Sequence, residues 1–251
     1  MEEVPEKLSS PVDYRIIISL IGTVIGFHIF VNFIDDPDAF VYGFSILIPA
    51  GVSISSFIVA RRYSGSLVFS KSYYFLGIGF AGIFLGELTY FIYEVFLEID
   101  PYPSIADVFF FLFYPMVSLY MIQNIRFFSP VTPLWEKILV GIIPVGITLF
   151  YLSITVTEEI NFDFFYGILF VSATSVSLAI SIYALRIFRG SLMGTSWVIL
   201  VTGILMLVGG DVWYYYIELF EEYTLSHLVN IFWYLGYLLI LYSLVKHRSS
   251  I

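Results

Sequence analysis

Residues 73–98 read YYFLGIGFAGIFLGELTYFIYEVFLE, an apolar run of membrane-crossing length that nevertheless carries Glu87, Glu94 and Glu98. About 20 consecutive apolar residues make a helix long enough for the roughly 30 Å hydrocarbon core of a bilayer, where a carboxylate is costly. The pattern returns 124 residues later: Gly86-Glu87-Leu88-Thr89-Tyr90 with Glu94 and Glu98 is matched by Gly210-Asp211-Val212-Trp213-Tyr214 with Glu218 and Glu222. The segments that follow match as well, Asp107 to Tyr114 (DVFFFLFY) against Asn230 to Tyr237 (NIFWYLGY).

Outward from this stretch, apolar runs recur at about 14–34, 40–60, 104–126, 137–156, 163–188, 194–219 and 224–246, giving eight predicted spans. With 59% hydrophobic residues, 12% charged residues and a mean hydropathy of +0.93, the chain is expected to be an all-α polytopic membrane protein. No run shows the alternation of a membrane β-barrel. All 11 basic residues fall in the tails or on alternate connections: Lys7 and Arg15; Arg61, Arg62 and Lys71; Arg126 and Lys137; Arg186 and Arg189; Lys246 and Arg248. The opposite connections carry only acids, among them Asp35, Asp36, Asp100, Glu158, Glu159, Asp163 and Glu221. Basic flanks mark the cytoplasmic side, so both termini are expected there, in the plasma membrane of a prokaryote.

Four spans fall in each half, and the repeat extends to Val41-Tyr42-Gly43, Ser53 and Arg62 against Phe165-Tyr166-Gly167, Ser177 and Arg186. An even number of crossings makes the halves parallel repeats. The expected organisation is a cytoplasmic tail 1–13, a first four-helix repeat 14–128, a cytoplasmic connection 129–136 and a second repeat 137–251. Gly22 with Gly26, Gly82 with Gly86, and Ser172, Ala173, Ser175 and Ala179 are expected to let helices approach closely.

Seven-residue spacing places Glu87 with Glu94 on one helix face, and Asp211 with Glu218 on another. The four predict two acidic stripes running inward from the outer surface, with Glu87 and Asp211 deepest. Ser104 and Asp107 read as a helix cap, and the second half has His227 and Asn230 at the corresponding places. Tyr114 and Tyr237 join the candidate ligand- or ion-binding set. Tyr90, Tyr93, Tyr102, Tyr214, Tyr215, Tyr216 and Tyr223 are expected to form an interfacial belt. His28 and His227 are weak candidates for a metal, because imidazole with carboxylate suits zinc-like ions, yet no fixed-spacing metal motif is present.

No cofactor and no catalytic group is expected. The chain has no Cys, and its net charge of −9 gives no basic face for nucleic acid. A retinal Schiff base needs a mid-span Lys, and none exists. Val208-Gly209-Gly210-Asp211 only partly matches the motif of intramembrane aspartyl proteases, and its counterpart acid is Glu87.

The run Asp100-Pro101-Tyr102-Pro103-Ser104-Ile105-Ala106-Asp107-Val108-Phe109, continuing through Phe113-Tyr114-Pro115, resembles the multi-helix membrane sensor regions found with archaeal and bacterial histidine kinases and diguanylate cyclases. The resemblance covers helices 3 and 4 and, weakly, 7 and 8. The sequence departs from the fused members by ending at Ile251, directly after helix 8, so signalling is expected only where a partner supplies the output. The leading expectation is a ligand-binding or sensory protein with an outward-facing pocket between helices 3, 4, 7 and 8. A cation- or proton-coupled transporter comes second, and a structural subunit of a membrane complex third. Besides the lipid bilayer, the expected partners are a small cation or small-molecule ligand and a separate signalling or complex partner.

Overall fold

A computed structural model describes residues 12–129, 133–155, 161–189, 194–220 and 223–249. Lys7, Glu158, Glu159, Glu221, Glu222 and, in the 129–136 connection, Pro130, Val131 and Thr132 lie outside the described residues. Eight helices are long and apolar enough to cross a membrane, and no strand occurs among the described residues. They are α1 (Tyr14–Phe33), α2 (Asp38–Arg62), α3 (Phe69–Phe91), α4 (Ile105–Phe128), α5 (Leu134–Thr155), α6 (Phe162–Phe188), α7 (Gly194–Ile217) and α8 (Val229–Ser249). In hydrocarbon every backbone amide must be satisfied internally, which makes a helix the default for each run.

Local chemistry sets the starts. The Asp13 side chain accepts from the Arg15 amide at 2.9 Å, and Asn161 accepts from the Phe164 amide at 3.0 Å. Ser104 and Asp107 form the reciprocal capping box of α4. At its far end α3 continues into a π-helical turn, Ile92–Phe96, that carries Glu94. Helix α8 starts at Val229, five residues later than its apolar run suggests, because the His227 ring accepts the Val229 amide and Asn230 holds the Leu225 carbonyl.

Packing runs α2 to α3, α3 to α4, α4 to α6, α6 to α7, α7 to α8 and α8 back to α2, so six helices close a ring. Helix α1 leans on α8 and α5 on α6 from outside. Only 11% of the α1 and α5 spans is buried, against 39–56% for the six ring helices. Gly82 gives α4 its close approach, since a Cβ there would sit 2.7 Å from the Phe109 carbonyl. Gly203 and Gly236 do the same between α7 and α8. The expectation for Gly22 and Gly26 is corrected: both face open space, because α1 is peripheral.

At the end of the bundle bearing the basic residues, the ring is filled. Trp197 is 1% exposed and is surrounded by Phe69, Tyr73, Phe128, Phe188 and His247 at centroid distances of 5.3–6.1 Å. Arg186 pairs with Glu136 at 2.9 Å and stacks on Trp135, tying α5 to α6.

Candidate functional site

At the opposite end the ring is hollow. A cavity of about 370 Å³ is bounded by residues from all six ring helices and from the loop before α8. Its walls come from the first turns of α2, α4, α6 and α8 and the last turns of α3 and α7, which alternation of helix direction brings to one end. The expected pocket between helices 3, 4, 7 and 8 is therefore corrected: Val41, Tyr42 and Ser45 of α2 and Tyr166 and Phe170 of α6 also line it.

Four carboxyls reach the cavity: Glu87, Glu94, Asp107 and Asp211. Asp211 accepts from the Tyr114 hydroxyl at 3.1 Å and from the Trp233 indole at 2.8 Å. Asp107 divides its oxygens, one accepting the Ser104 amide at 2.7 Å in the α4 cap and the other the Tyr166 hydroxyl at 2.9 Å. Capping and lining the site are thus performed by one side chain. Glu94, at the mouth, accepts from the buried Tyr42 hydroxyl. Glu87 lines the cavity without a hydrogen bond among the described residues.

Asn230 is buried and lines the site through a different bond, its Oδ1 accepting from Tyr223 at 2.8 Å. Burial, foremost, holds the Tyr223 hydroxyl in its protonated form well above the ordinary tyrosine range, so it remains a donor. Tyr114 and Tyr237 stand on opposite halves of the wall, and only Tyr114 is bonded to an acid.

Other candidates lie elsewhere. Glu218 is exposed, accepts the Tyr223 amide at 3.2 Å and is not a wall residue, so the expected second stripe is broken. Its counterpart Glu94 keeps the face of Glu87 because α3 continues as a helical turn through Phe96, whereas α7 ends at Ile217, one residue before Glu218. His227 caps α8 and packs on Trp213 and Tyr223 instead of facing the cavity. His28 lies near Asn32 on α1, outside the ring. Among the described residues no three His, Asp or Glu groups come together as a metal site.

The interfacial belt is also corrected. Tyr90, Tyr214, Tyr215 and Tyr223 line the cavity, and the Tyr223 hydroxyl bonds Asn230 there. The donors Tyr42, Tyr166 and Trp233 were not among the sequence candidates. The available signal was position: Tyr42 and Tyr166 occupy matching places in the repeat, and Trp233 lies inside the matched Asn230–Tyr237 run. Among known proteins, no family model, no curated protein and no solved structure matches this chain.

Proposed function

We propose that the chain is a membrane protein that binds a small ligand in the acidic, tyrosine-lined cavity and acts as a sensor. The observation that carries this reading is the hollow itself. A subunit whose work is packing would close its six-helix ring at both ends, whereas this ring keeps about 370 Å³ open around four carboxyls. That volume falls in the range of small-molecule sites, and its polar groups converge from different helices.

The halves are two parallel repeats. Three equivalences support this: α2–α3 with α6–α7, α3–α4 with α7–α8, and α8–α2 with α4–α6. Both termini are cytoplasmic in a prokaryotic plasma membrane, and the cavity opens outward. The one-sided distribution of Lys and Arg supports that orientation. The sensory reading is supported by the resemblance of the run Asp100 to Pro115 to membrane sensor regions.

The test replaces Glu87 with Gln and Asp211 with Asn in the purified protein and screens small molecules for thermal stabilisation. Binders lost on substitution are expected; a screen in which wild type and double variant respond identically removes the site. A cation-coupled transporter is the second reading, favoured by a cavity that reaches mid-span at the axis relating the halves. Reconstituted vesicles without flux dependent on Glu87 or Asp211 would dismiss it.

A further inference from the structure

The chemistry of the occupant can be narrowed from the bonds already made around the cavity, granting the binding reading on which this inference rests. Asp211, Asp107 and Glu94 each have donors in the wall: Tyr114 and Trp233, Tyr166 and the Ser104 amide, and Tyr42. Glu87 has none among the described residues. Its side chain is partly buried and lines the cavity.

The reason lies in one residue of the repeat. Where Trp233 offers an indole N–H to Asp211, the first half has Phe110, a hydrocarbon ring packed over Gly86. Tyr237, the counterpart of Tyr114, lines the same cavity as Glu87 and donates to no acid among the described residues. Between them they leave an acceptor and a hydroxyl open in the same space. A partly buried carboxyl without donors costs free energy, and an occupant that brings them recovers it.

The occupant's charge follows from the rest of the wall. Among the described residues no Lys, Arg or His lines the cavity, so an anion would meet four acids and no base. A zwitterion would leave its own carboxylate unmatched. A bare metal ion is disfavoured because no three acidic or imidazole groups converge among the described residues. Eight tyrosines and Trp233 line the walls, and the faces of such rings attract an organic cation.

We propose that the cavity binds an organic ammonium ion, with Glu87 as its counter-ion, Tyr237 as a second polar contact and the tyrosine rings as its walls. Three probes of one shape, 2-phenylethylammonium, 2-phenylethanol and phenylacetate, test this by calorimetry and thermal shift on the purified full chain. The ammonium is expected to bind at least ten-fold more tightly than the alcohol, and phenylacetate more weakly than both. Glu87→Gln should abolish the preference for ammonium over alcohol while alcohol binding persists. Tyr237→Phe should weaken ammonium binding several-fold and provides the check if Glu87→Gln does not fold.

Equal binding of ammonium and alcohol to wild type overturns the cationic assignment and leaves the cavity a binding site. An ammonium preference unchanged in both variants overturns the role of Glu87. Binding of none of the three overturns the inference, and the broader screen with the Glu87 and Asp211 double variant then decides separately whether the cavity binds anything.

Discussion

The two ends of this six-helix ring use the same material, aromatic side chains, to opposite effect. Around Trp197 the rings of Phe69, Tyr73, Phe128 and Phe188 meet edge to face and leave no room. At the other end Tyr90, Tyr166, Tyr214 and Tyr223 stand around a hole. The difference lies in the acids. A carboxyl cannot collapse onto hydrocarbon without losing its hydrogen bonds, so Glu94, Asp107 and Asp211 keep the second set of rings at the rim of a polar space.

The strongest way to break that contrast is truncation on each side. Trp197→Ala empties a space enclosed on every face and is expected to cost about 3–5 kcal/mol in unfolding free energy in detergent. Tyr90→Ala removes a ring that already borders open volume and should cost less than half as much. Equal losses would mean that the open end is packed as tightly as the closed one.

Next in size is the acid held by two donors. Asp211→Asn turns an amide N–H toward the Tyr114 hydroxyl or the Trp233 indole and forfeits a charge-assisted bond, at an expected cost of about 1.5–3 kcal/mol. Glu87→Gln breaks no bond and should leave stability within about 0.5 kcal/mol of wild type. Denaturant titration of the two variants side by side measures the difference, and a larger loss for Glu87→Gln would reverse the assignment. Tyr166→Phe comes third, since it removes one hydroxyl donor from Asp107 while Ser104 continues to hold the other oxygen. About 0.5–1.5 kcal/mol is expected.

How much of this was legible in the sequence depends on whether water or lipid marks the feature. Eight spans were readable because apolar length is dictated by the bilayer. The peripheral places of α1 and α5 were not: lipid-facing and protein-facing surfaces are both apolar, so periodicity does not separate them. The same blindness misassigned Gly22 and Gly26. Among site residues, Glu87, Asp211 and Asp107 were conspicuous because acids are rare in membrane runs. Their donors Tyr42, Tyr166 and Trp233 were hidden, because an aromatic with one polar atom suits a lipid interface and a cavity equally well. Glu218 was overvalued for a different reason: helical spacing predicts a face only while the helix lasts, and α7 ends at Ile217, one residue before Glu218.

The finest test converts one half into the other. Phe110 packs over Gly86 as Trp233 packs over Gly210: a Cβ at Gly86 would lie 2.6 Å from the Phe110 ring, and one at Gly210 would lie 2.9 Å from the indole nitrogen. The backbone therefore already allows a ring over a glycine at both places, and Phe110→Trp offers Glu87 the indole donor that Asp211 has. If the missing donor is what distinguishes the two acids, the variant gains up to about 1 kcal/mol in stability. It should at the same time lose affinity for 2-phenylethylammonium, because the wall now satisfies the acceptor that the occupant would have satisfied. Stability and affinity must move in opposite directions. A variant that loses both has only been overpacked, and the asymmetry between Glu87 and Asp211 would then need another cause.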